Sequence, residues 1–179
     1  KEGLDLRNGT DIYCRFHYQR QNGNSAKFRC ALTNAQNQLY DSKGNLVPEA
    51  VRLVTQNDEV YLADGRGNRL DDRKALILKV RYSDGKKRNR ENYSSTTASR
   101  LLWAIGIPAH TNIMSNRILC HGCDRSPFAR QREPIVDRRG NYSLVAFRHA
   151  SIEIKYEGKR MYDPTENPWA WSEVNQMLG

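Results

Sequence analysis

No stretch of the 179-residue sequence approaches the roughly 18 consecutive apolar residues that a membrane-crossing helix needs, so no span is expected. No P-loop motif occurs, and no Ser–His–Asp ordering stands out for acyl transfer. There are four histidines, and none has zinc-finger spacing to the cysteines. Carboxylates are scarce, with 20 Asp and Glu against 29 Lys and Arg, a net charge of +9. That excess suits an anionic partner: nucleic acid, nucleotide, phosphoprotein or acidic glycan. Neither Asp71 with Asp72 nor Asp163 with Glu166 has the neighbour that would make a general acid/base pair, so turn or cap roles are expected. No internal repeat, low-complexity tract or signal-peptide pattern is read. The sequence opens on Lys1, not Met, and a processed or trimmed chain is expected.

What is present reads as globular and polar, with 38% hydrophobic residues and a mean hydropathy of −0.82. DIYCRFHYQ alternates, placing Ile12, Cys14 and Phe16 on one face. KFRCALT groups Phe28, Cys30 and Leu32, and the polar turn between the two runs makes a hairpin. Residues 34–73 are rich in turn signals such as DSKGN and DGRGNR, with AVRLVT and EVYLA as short strands, one or two extra hairpins. KALILKVRYS is the most apolar strand and carries Lys79. A helix is expected from about Tyr93 to Ile105, capped by Ser94 or Ser95, with Ala98, Leu101, Leu102 and Ile105 buried and Gly106 ending it. NRILCHGC and SLVAFRHASIEIKY follow as β-like runs, then a loop and a helix near Pro168 or Ser172.

The cysteines are Cys14, Cys30, Cys120 and Cys123. Neighbouring antiparallel strands would bring Cys14 and Cys30 close enough to bridge, and Cys120 and Cys123 form a CHGC. Disulfides in an oxidising compartment, reduced thiols and a metal site are all open. Three glycosylation sequons, at Asn8, Asn92 and Asn141, matter only in a eukaryotic secretory pathway, and chance accounts for them.

The order strand, polar loop, strand, lysine-bearing strand, helix, further strands is that of a protein-kinase-like N-lobe, in which a lysine binds the α/β-phosphates and a helix glutamate holds it. Lys79 takes that place; the plain alternative is an edge-strand lysine facing solvent. NGNSAKF, LILKV and ASRLLWAIGIPA resemble the phosphate loop, lysine strand and helix of HipA-like kinases. With YCRFHY, ILCHGC, AFRHASIEIKYEGK and WAWSEV, most of the chain outside 34–73 resembles a group of secreted bacterial proteins with that core.

The resemblance implies an α+β domain, a twisted antiparallel sheet with one packed helix, over residues 1–160. Residues 161–179 would be a linker and the start of a helical segment. It implies ATP with Mg as cofactor, with Gly23, Asn24, Ser25 and Lys27 over the phosphates, Lys79 on α/β oxygens, and 147–153 near the adenine hinge. Two departures appear. The helix glutamate falls on Ser95, and Glu91, one turn earlier, would substitute only if the helix shifts. The catalytic residues of such kinases belong to a C-lobe beyond the WSEV stretch. The expected function is therefore a nucleotide-binding N-lobe, secreted or periplasmic, with a degenerate pseudokinase form in view. Its partners would be a nucleotide and a C-terminal lobe or another protein. The alternatives are a non-catalytic secreted interaction module, or a basic nucleic-acid reader stacking bases on Tyr13, Phe16 and Tyr18 beside Arg15.

Overall fold

The computed structural model describes residues 11–18, 26–57, 59–83, 89–107, 109, 111–127 and 131–154. Two alternating runs open the fold. β1 (Asp11–Tyr18) and β2 (Lys27–Thr33) pair antiparallel, with Cys14 opposite Leu32 and Phe16 opposite Cys30. β2 pairs with β8 (Ile77–Arg81), β8 with β10 (Leu144–Ile154), and β10 with β9 (Thr111–His121), all antiparallel. β9 then returns to β1 in parallel, with Ile12 beside Ile118 and Cys14 beside Cys120. A ring of five strands cannot alternate direction throughout, so one pair must be parallel. The expected antiparallel sheet is thus corrected to a mixed sheet that closes on itself.

Closure gives the ring an inside, and the period-2 alternation decides what fills it. Ile12, Cys14, Phe16, Phe28, Cys30, Leu32, Leu78, Val80, Tyr82, Ile118, Cys120, Phe147 and Ile152 form one buried cluster. Phe28, Tyr82 and Phe147 meet within it at ring separations of 4.9–5.7 Å. Both cysteine pairs stand at disulfide distance, Cys14 with Cys30 at a Cα separation of 5.6 Å and Cys120 with Cys123 at 5.5 Å. The first bridge would close a chain separation of 16 residues, worth roughly 3 kcal/mol by loop entropy.

The 34–73 insertion forms a hairpin of β3 (Leu39–Tyr40) and β4 (Leu46–Val47) beside β2, and a separate sheet of β5 (Arg52–Gln56), β6 (Glu59–Ala63) and β7 (Arg69–Lys74). One turn chemistry recurs. Asp41, Asp64 and Asp137 each open a five-residue turn that ends Gly-Asn, at Asn45, Asn68 and Asn141. In each, the Asp carboxylate accepts from the backbone two and four residues on and from the Asn side chain. The fourth residue is a glycine at φ +80° to +91°, a left-handed conformation that favours glycine. Where the sequence reads as having no repeat, it repeats this turn three times, and Asn141 is tied into one of them.

The helix departs most from expectation. α1 (Arg90–Ala104) begins three residues early, capped by Asn89, whose side chain accepts from the Glu91 amide. Gly106 follows it at φ +79°, as expected. Its buried face is polar: Asn92, Thr96 and Ser99. Asn92, fully buried, donates to the His149 carbonyl at 2.8 Å and accepts from Ser151 Oγ at 3.4 Å. That burial leaves the Asn92 sequon no room for a sugar. Leu101 and Ile105, expected inside, are 61% and 55% exposed, and Ala98 is exposed too. Helix docking therefore rests on buried hydrogen bonds. Asn92→Ala should cost roughly 2 kcal/mol by orphaning its partners, while Leu101→Ala should fall within about 0.5 kcal/mol of wild type. Chemical denaturation of the two variants checks this, and a costlier Leu101→Ala would contradict it.

Candidate functional site

On β2 and β8 the residues between core positions face outward, on the side where Ser151 and Glu153 of β10 also lie. Register sets Lys27 opposite Arg81 and Arg29 opposite Lys79, so four cations occupy one square of the sheet. Like charges directly across a ladder repel, and something must offset them. Arg29 turns aside, donating to Tyr18 Oη at 2.8 Å and lying 5.3 Å over its ring. Lys79 and Arg81 converge on one carboxylate oxygen. Glu153 Oε2 accepts from Lys79 Nζ at 2.9 Å and from Arg81 Nη2 at 2.7 Å. The three side chains are 25%, 14% and 7% exposed for Lys79, Arg81 and Glu153. Arg81 also donates to Asn112 at 3.1 Å.

Lys79 does not point freely into solvent; it is half-buried and paired. Its partner is not on the helix. Ser95 turns its hydroxyl onto the Glu91 carbonyl, and Glu91, 56% exposed, lies 3.7 Å from Arg81 Nε. Glu91 therefore meets the site through Arg81. Gly23, Asn24 and Ser25 lie outside the described residues, as do the expected C-terminal helix and Trp169 and Trp171. Lys27 is described, at the start of β2. Of the stretch expected near an adenine hinge, Phe147, Ala150 and Ile152 are inside the ring, while Ser151 and Glu153 stand across the ladder from Arg81 and Lys79. Arg29, Arg81 and Glu153 were legible only as alternate positions on strands; cross-strand register is what brings them together.

The stacking surface expected for nucleic acid does not form on β1. Phe16 is in the core. Arg15 is buried beneath the insertion, donating to the Val51 carbonyl at 2.8 Å and to the Asn37 side chain at 3.0 Å.

Chemically, the square can hold an anion with several oxygens, as a polyphosphate has. It fits a metal less well. Among the described residues no three His, Cys, Asp or Glu side chains gather, and the one carboxylate in the square is engaged by two cations. The square is thus suited to anion oxygens rather than to a cation. No family model, curated protein or solved structure matches the chain.

His17, at the rim of this face, contacts Thr55 Oγ1 at 3.2 Å. Burial, with the nearby Arg29 charge, pushes its pKa down from 6.5 to about 4. A histidine held neutral this way contributes stability above pH 6.5 that is lost as pH falls toward 4. The thermal midpoint should therefore drop more steeply across that window in wild type than in His17→Gln; equal slopes would contradict it.

Proposed function

We propose that this chain is a nucleotide-binding domain of kinase N-lobe type that holds phosphate oxygens on the Lys27, Arg29, Lys79 and Arg81 square. One observation carries the reading: Lys79 and Arg81 are brought half-buried onto Glu153 on the helix-bearing face, with Lys27 and Arg29 opposite them, so four cations gather around two acids, Glu153 and Glu91. Supporting it is the chain order once the β3–β7 insertion is set aside: a hairpin, the lysine strand, one helix and a second pair of strands, as in such a lobe. The polar β1–β2 connection at 19–25 leads into Lys27, the residue that begins β2.

The phosphate contacts assigned to this chain are binding contacts, and no phosphoryl transfer is assigned to it. A second reading, a non-catalytic interaction module, is favoured by one particular fact: Ser95 offers no carboxylate where a kinase helix would. Both readings suit a secreted or periplasmic setting, which the two cysteine pairs at disulfide distance support.

Titration of the 179-residue chain with ATP separates the readings. Saturable binding is expected, weakened about tenfold or more by Lys79→Met, the loss that follows from removing a charged hydrogen bond to phosphate. No ATP binding, or binding indifferent to Lys79→Met, would overturn the nucleotide reading. Salt-dependent oligonucleotide binding in its place would restore the nucleic-acid reader.

A further inference from the structure

The acid beside Lys79 comes from a strand. Glu153 stands directly across the β8–β10 ladder from Lys79, so backbone register alone sets the two side chains together. On the helix, Glu91 touches Arg81 from an exposed position, and Ser95, where the resemblance would place the acid, carries no carboxylate and donates to the Glu91 carbonyl.

We propose that Glu153 is the positioning residue for Lys79, supplying from β10 the ion pair that a kinase-type lobe draws from its helix. This rests on the nucleotide reading above. Two physical points favour a binding role over a purely structural pair. The first is charge balance: with Lys27 and Arg29 across the β2–β8 ladder from Arg81 and Lys79, four cations face Glu153 and Glu91, and a phosphate oxygen would offset that surplus. The second point concerns movement. A helix-borne acid shifts with the helix, and breaking that pair is one way kinase lobes are switched. A strand-borne acid is fixed by the ladder. Lys79 is then held in place whatever α1 does, and the phosphate site is assembled at all times. What remains to the helix is the Glu91–Arg81 contact, half exposed and worth little.

The test pairs a lysine-reactivity map with ATP titration on the full chain, using Glu153→Gln, Glu153→Asp and Glu91→Gln. Amine labelling read by peptide mass should rise several-fold at Lys79 in Glu153→Gln, less in Glu153→Asp, and not in Glu91→Gln. Lys43, in an exposed turn away from the square, should label equally in all of them; a rise there as well signals unfolding, and Glu153→Asp then carries the comparison. ATP affinity should fall about tenfold in Glu153→Gln, following the loss of Lys79 placement. Equal Lys79 labelling in wild type and both Glu153 variants would overturn the proposal, as would a rise in Glu91→Gln matching that in Glu153→Gln. Wild type that fails to bind ATP while Lys79 labelling still follows Glu153 would sink the nucleotide reading and leave the Glu153–Lys79 hold standing.

Discussion

β1 carries two ladders, antiparallel to β2 on one side and parallel to β9 on the other, and the second ladder shuts the ring of five strands. Much else depends on that closure. It removes the free edges that an open sheet of these strands would present. It turns one face of every strand into an enclosed core, where the Phe28, Tyr82 and Phe147 rings and both cysteine pairs sit. It also fixes the outer face, because once the inner residues are committed their neighbours have no choice of side. The cation square is a consequence of that commitment: Lys27, Arg29, Lys79 and Arg81 alternate with Phe28, Cys30, Leu78, Val80 and Tyr82.

The outer face is where local and global preference disagree. Two like-charge pairs lie across the β2–β8 ladder, a placement that weakens pairing. Arg29 is drawn off to Tyr18 and Glu153 gathers the other two, but the square stays positive. Sites that keep such a conflict without an internal remedy are candidates for an outside ligand. The polar seam between α1 and the ring is a second departure from local preference. Asn92, Thr96 and Ser99 replace the apolar stripe that usually docks a helix; Asn92 donates to the carbonyl of His149, a residue at φ +51°, and Ser99 accepts from the Asn112 amide.

Strand periodicity made the inside of the ring readable: Ile12, Cys14 and Phe16, and Phe28, Cys30 and Leu32, fall where alternation puts them. The Gly106 stop was readable from turn chemistry. Closure was not, since the parallel return of β9 to β1 joins segments about a hundred residues apart and leaves no local trace. The helix face was misjudged because apolar spacing was weighed and the partner surface, which is polar, was unknown. Lys79 stood out as one cation in an apolar strand, whereas its partner Glu153 looked like any alternating strand acid. Only register shows that they meet. The repeated Asp-to-Asn turn was visible in the sequence all along as DSKGN, DGRGN and DRRGN.

The most direct test of the account is a crystal structure of the chain with bound ATP. The account predicts phosphate oxygens within hydrogen-bonding distance of Lys79 Nζ and Arg81, with Glu153 still paired to both. Phosphates seated elsewhere, with the Lys27, Arg29, Lys79 and Arg81 square untouched, would contradict it.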